Sequence, residues 1–454
     1  MTNHKPLILL CLATLFCVTA NARTIVVNNG IAGAADGNGG TTTAPLKTIG
    51  AGVKLAQPGD TVLVYPGTYT EATTAADVST PGIQVRNVGT ASAPVTISAQ
   101  TAGAAIIDQK SGAVGFEIMN AAYVVISGFT IQNCYGGGVH MEEGAPSNNM
   151  TVENNTVQHC DGPSGDNVGG IYIGGCVNCM ITNNTITDIK VGGVYYQNAA
   201  GIHGYSQSNC TLSNNVISSA YTGIFHKRSS GQTGLLIENN MISGVTIGIM
   251  YSVGGAGDPP HENQRVYNNI ISASSQGIYA PVYETSSPSQ GLAIKHNVFL
   301  GAAGVLTWGY DGVTVTDNIF YNLAGDAVAT ENGTWTKELT AMNNNLFYSG
   351  AAFDLQEYGS GAAHYSTLAA FLGATGFNST NKVANPLFVS SSDYHLGSGS
   401  PGIGAADDGT NIGAYSTSST VVGLLSGGAV TTPPSSPPTS TATVPDPPAN
   451  VTVE

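Results

Sequence analysis

VENNTV at residues 152–157 opens a run of near-copies: ITNNTI (181–186), LSNNVI (212–217), IENNMI (237–242), VYNNII (266–271), IKHNVF (294–299), VTDNIF (315–320) and, more loosely, MNNNLF (342–347). Each holds an apolar residue, two spacers, an asparagine, one spacer and a second apolar residue. The shared asparagines are Asn155, Asn184, Asn215, Asn240, Asn269, Asn297, Asn318 and Asn345, in steps of 29, 31, 25, 29, 28, 21 and 27 residues. The copies are rich in β-branched residues and carry no 3.6-residue apolar stripe, so a helical repeat does not fit. A step of this size holds three short strands and three turns, one coil of a single-stranded parallel β-helix with three sheets. Stacked coils sit ~4.8 Å apart. The asparagines then form an inward ladder, each amide bonding to backbone at a bend.

A second phrase keeps step with the first: GGVHME, GGIYIG, AGIHGY, TGIFHK, IGIMYS, QGIYAP, AGVLTW and DAVATE, beginning at Gly137 and ending at Glu331. Strand alternation turns Val139, Ile171, Ile202, Ile224, Ile249, Ile278, Val305 and Val328 inward as a core stack. It turns His140, Tyr172, His203, Phe225, Met250, Tyr279, Leu306 and Ala329 outward. Two residues on, the outward column reads Glu142, Gly174, Tyr205, Lys227, Ser252, Pro281, Trp308 and Glu331. One wall thus collects aromatic and titratable side chains while the asparagine corner stays monotonous. His140, Tyr172, Phe225, Tyr251, Tyr279 and Trp308 are the candidates for stacking on sugar rings.

Composition narrows the partners. The 454 residues carry a net charge of -15 with only 9% charged residues, which disfavours nucleic acid. An acidic surface keeps an exported protein soluble. Against that background Lys227 and Arg228, within YTGIFHKRSSG (221–231), are the only adjacent Lys and Arg after the leader. A polyanionic substrate needs such a local cationic site, although a solvated turn would also explain the pair.

Residues 1–22 read as a signal peptide: His4 and Lys5, the apolar run 7–18, then Ala20-Asn21-Ala22. No later stretch is long and apolar enough to span a bilayer. The expectation is an exported monomer, extracellular or periplasmic. Residues 23–70 read as an N-terminal cap, with a short helix stopped by Pro58-Gly59 and a first strand. The β-helix then runs over 71–415, with 385–415 closing its far end, and 416–454 is a Pro/Ser/Thr-rich tail or linker. Cys134, Cys160, Cys176, Cys179 and Cys210 follow the leader. By position, Cys179 with Cys210 and Cys134 with Cys160 come within disulfide reach, buried free thiols being the alternative; Cys176 is left unpaired either way.

PGDTVLVYPGTY (58–69), ISGFTI (126–131), the NN phrase and the SPGIGA and IGAY ending (400–405, 412–415) resemble secreted right-handed parallel β-helix proteins of the pectate-lyase-like superfamily over roughly residues 44–415. The layout is most similar to polysaccharide lyases of the alginate lyase and chondroitinase B kind. That resemblance implies a Lys base on the exposed sheet, an Arg about one coil later, and acidic residues holding calcium. Lys227 matches the base. The following coil offers Tyr251 and Ser252 where the Arg belongs, so Arg228 would have to serve from the turn.

β-Elimination from a uronic acid polymer needs a neutralised carboxylate, a base for the C5 proton and an acid for the departing oxygen. Lys227, its pKa lowered by the neighbouring Arg228 charge, suits the base. Arg228 suits the carboxylate, and His203 or Tyr205 the proton donor. His226 counts inward and reads as structural. Glu142, Glu143, Asp161 and Asp166 offer hard oxygen ligands for calcium, without calcium-loop spacing. A hydrolase would want paired carboxylates beside the bond, and the only Asp-Asp pair, Asp407-Asp408, lies in the terminal segment. A noncatalytic glycan-binding or adhesion protein is the rival reading.

Overall fold

The computed structural model describes residues 22–72, 81–227, 234–252, 260–282, 289–331, 338–350, 352–355, 363–377 and 380–425. Of the expectations above, the leader before residue 22, Arg228 and the tail beyond residue 425 lie outside the described residues.

Each coil is built from the NN phrase outward. Strand Thr151–Glu153 runs into the corner at Asn154, whose φ of 57° is left-handed; strand Thr156–Cys160 leaves it, and after a loop strand Val168–Gly174 forms the third wall. The first asparagine of every copy, or the His296 or Asp317 replacing it, takes this left-handed turn at φ of 54–58°. Asn and Asp tolerate that conformation better than other residues with a Cβ. Stacking is parallel throughout, apart from a hairpin of Ala352–Leu355 with Ala363–Tyr365. One wall is a 13-stranded sheet; the other two merge into a 20-stranded sheet, because in the four coils from Val216–Lys227 to Val298–Trp308 the two strands run together as one. The right-handed parallel solenoid is therefore the fold.

The asparagine ladder is continuous. The side-chain carbonyl of Asn184 accepts the backbone N–H of Asn155 at 3.0 Å and its Nδ2–H at 3.1 Å. The same pair of bonds links Asn184 to Asn215 and Asn215 to Asn240. It recurs at each step to Asn345, and a ninth member that the repeat did not reveal, Asn381, closes the series. Each Nδ2 also donates to backbone, as Asn240 does to Leu212 O at 2.9 Å and Glu238 O at 3.0 Å. All nine amides are buried.

Beside the ladder runs the expected apolar stack. Val139, Ile171, Ile202, Ile224, Ile249, Ile278, Val305 and Val328 pair in register coil on coil and are buried. Each such side chain contributes about 1.5–3 kcal/mol.

The ends differ in part from expectation. Helix Ile49–Leu55, capped by Thr48 Oγ1, covers the first coil as expected through Ile49 and Val53. Residues 385–425, by contrast, do not close the far end: they run back along the asparagine corner. Gly413 N–H bonds to Asp317 O, Gly423 N–H to Asn239 O, and Leu425 N–H to Asn183 Oδ1. Their Ile412, Ala414 and Val422 cover Ile270, Val298, Ile319 and Leu346, the outward apolar residues that follow successive ladder asparagines. The packed chain thus continues to Leu425, past the residue-415 boundary. At the far end, Phe371 of helix Leu368–Thr375 stacks on Phe353 instead. Cys176 is also not the odd thiol: it is joined to Cys179 across the two residues between them, while Cys134, Cys160 and Cys210 are buried free thiols.

Two neighbouring substitutions separate the roles in the phrase. Asn240→Ala should cost about 3 kcal/mol or more, since it strands buried donors and acceptors on both neighbouring coils. Asn239→Ala should cost only about 1–2 kcal/mol, the left-handed penalty, and Asn239→Gly nearly nothing. Urea unfolding of the three variants measures this order.

Candidate functional site

The outward columns form with the anticipated pairing. His140 lies beside Tyr172, Tyr172 beside His203, His203 beside Phe225, Phe225 beside Met250 and Met250 beside Tyr279. In the second column Gly174, Tyr205, Lys227 and Ser252 stand in line, as do Pro281, Trp308 and Glu331.

What differs is accessibility. His140, Tyr172, His203 and Phe225 stack on one another, with ring centroids 4.8, 5.3 and 4.8 Å apart. Coil spacing nearly equals aromatic stacking distance, so rings in one outward column satisfy each other. Tyr172, Phe225 and Tyr205 are buried and His203 is wholly so. The expected open aromatic platform is thus a packed layer over this stretch. Met250, Tyr279 and Trp308 keep partial exposure farther along.

His203 is accordingly not a proton donor to substrate. Both ring nitrogens are buried without a hydrogen-bond partner, and burial, aided by the Lys227 charge, pushes its pKa down to about 3. Tyr251 must be withdrawn from the binding surface as well. It pairs with the inward His226 and so points inward, fully buried, with its ring edge against His226 and His261. His226 is structural, as expected, its Nδ1 bonded to Gln207 Nε2 at 2.9 Å.

Lys227 remains the half-buried cation of the wall. Its ammonium donates to Asn167 Oδ1 at 2.9 Å, which ties it to the loop before strand Val168–Gly174. Burial lowers its pKa from the ordinary 10.5. The direction is the one expected, and among the described residues its cause is desolvation.

The four expected calcium ligands do not converge. Glu142 follows the last residue of strand Gly137–Met141, whereas Asp161 precedes its counterpart strand one coil on, placing them at opposite edges of the wall. Asp161 Oδ1 is taken by the N–H groups of Gly162 and Gly193, Glu143 Oε1 by the Ser206 hydroxyl, and Asp166 lies exposed in its loop. Among the described residues two other groups gather three ligand atoms: Glu117, His140 and Glu142, and Asp326, Asp354 and His364. Asp326 is raised to about 6 by burial and by Asp354. Sequence reading missed Glu117 because its coil precedes the first NN phrase, although the outward column extends back to it in register. Asp354 likewise extends that column beyond Ala329.

Two family models match the chain: "Pel9A-like, right handed beta helix region" over residues 30–217 and "Right handed beta helix region" over 200–370. Among solved structures, the pectate lyase Pel9A superposes with a TM-score of 0.56 at 16% identity, covering 87% of this chain and 96% of that one. A mannuronic acid-specific family 6 polysaccharide lyase from human gut microbiota gives 0.43 at 13% identity, covering 74% and 82%. A family 28 exopolygalacturonase from Yersinia enterocolitica gives 0.44 at 13%, covering 75% and 76%. A search of curated protein sequences returns no match. The likeness to Pel9A, at 16% identity, establishes the shared fold alone. No described helix is long and apolar enough to cross a membrane.

The buried imidazole makes a pH prediction. Folded, His203 stays neutral down to about pH 3; unfolded, it titrates near 6.5. The unfolded chain therefore binds the extra proton between those values, and this site loses stability as pH falls from 6.5. Relative to a nontitrating His203→Leu variant, wild-type unfolding free energy should decline between pH 6.5 and 4 by up to about 1.4 kcal/mol per pH unit. Urea titrations at several pH values read the difference, and a flat difference would mean that the imidazole is charged in the fold.

Proposed function

We propose, for a chain that is a right-handed parallel β-helix protein of the pectate-lyase-like superfamily, that it is exported, binds an acidic polysaccharide across the wall bearing Lys227, and cleaves it by β-elimination. The observation that carries this reading is Lys227 itself: a half-buried amine on an outward column, its pKa lowered by desolvation, next to Tyr205 in register. A lowered pKa enlarges the fraction of neutral amine, the form that a base requires. In the proposed step the amine takes the C5 proton, the C5–H electron pair becomes the C4–C5 double bond, and the C4–O bond breaks. Tyr205 supplies the proton to the departing oxygen. Arg228, next in the chain, is the proposed partner of the uronate carboxylate.

The self-stacked aromatic column favours a second reading, a noncatalytic binder of acidic glycans, because a packed layer presents few rings to a sugar. Ultraviolet absorbance of unsaturated product, followed with alginate, pectate and glycosaminoglycans, separates the two. The lyase reading expects absorbance on one of them and a loss of about 10²–10⁴-fold in Lys227→Ala. It also expects the rate to climb with pH towards the Lys227 pKa, which lies below 10.5. No absorbance on any polymer, with retention on an immobilised polyuronate, supports the binder. Full activity in Lys227→Ala would move the base elsewhere.

A further inference from the structure

We propose that Glu117, His140 and Glu142 bind a divalent transition-metal ion of the zinc class, at a site independent of the reaction assigned to Lys227. The three residues each present one ligand atom, all within 4.8 Å of one another. They come together through registry: Glu117 and His140 are partners on adjacent coils, and Glu142 follows His140 by two residues on the same outward side.

Glu117 is fully buried. One of its oxygens lies 2.9 Å from His140 Nδ1; the other, Oε1, is buried with no hydrogen-bond partner. A buried carboxyl oxygen without a donor costs about 1–3 kcal/mol or more, and native structures rarely leave one unexplained. A cation would use that lone pair. The 2.9 Å separation is that of a hydrogen bond, which a zinc ion bound at ~2.0–2.1 Å would replace, holding the two ligand atoms only ~3.3–3.4 Å apart.

The flanking groups are already oriented. The His140 ring stacks on Tyr172 at 4.8 Å, and Glu142 Oε1 accepts the Gly144 N–H at 3.2 Å, leaving its second oxygen for a metal. An imidazole among the ligands argues for zinc rather than calcium, which prefers oxygen donors throughout. The site stands three coils from Lys227 along the second column, about 14 Å at ~4.8 Å per coil.

The test is zinc titration of the chelator-treated full chain by calorimetry, with Co²⁺ absorption as a second readout. One equivalent of zinc should bind, with affinity falling about tenfold or more in His140→Ala and in the near-isosteric Glu142→Gln. Binding should persist in His364→Ala, which disrupts the other three-ligand group. Bound Co²⁺ should show visible bands in wild type that His140→Ala abolishes. Circular dichroism checks the fold; should His140→Ala unfold, the half-buried Glu142→Gln decides. Absence of zinc uptake, uptake indifferent to both variants, uptake lost in His364→Ala, or displacement by equimolar calcium would each overturn the proposal.

Discussion

One amide carbonyl per coil, accepting two hydrogen bonds from the asparagine of the coil before it, is the contact on which the molecule depends. Every group involved is buried, so each bond left unmade would cost about 1–3 kcal/mol. A slip of one residue would place a β-branched side chain in the corner and turn the apolar column outward. The left-handed residue before each ladder asparagine prevents such drift, because few residue types accept its φ. Registry is therefore set at the corner and carried along the strands to the wall opposite.

That registry has a consequence for the outer face. Rings placed at coil spacing stack on their neighbours, and the run from His140 to Phe225 becomes a second packed layer outside the sheet. A column of this kind stiffens the wall while withdrawing its rings from solvent. The chemistry that remains lies at the column edges: Lys227 under Asn167 on one stretch, and Glu117 with His140 and Glu142 on another. Both depend on residues far apart in the chain that stacking brings side by side.

The repeat made much of this legible. The period of the NN phrase gave the coil, and alternation gave the outward columns and the placement of Tyr205 beside Lys227. Alternation should equally have excluded Tyr251, which shares its inward position with His226. The covering of His203 and Phe225 was not readable from alternation, because it depends on coil spacing matching the distance at which rings stack. The return of residues 385–425 along the corner was hidden for a similar reason. It answers the outward apolar residues Ile270, Val298, Ile319 and Leu346, which a single coil shows only as part of its phrase. The Cys176–Cys179 link was obscured by the positional likeness of Cys179 and Cys210.

Cross-linking tests the registry most directly. Residues paired on adjacent parallel strands lie within disulfide reach. The double variant Tyr205→Cys, Lys227→Cys, oxidised and digested, should yield a 205–227 disulfide by mass spectrometry, while Tyr205→Cys with His226→Cys should yield none, since residue 226 faces inward. A 205–226 link, or none in either variant, would contradict the stacking that places the candidate base and acid on one wall.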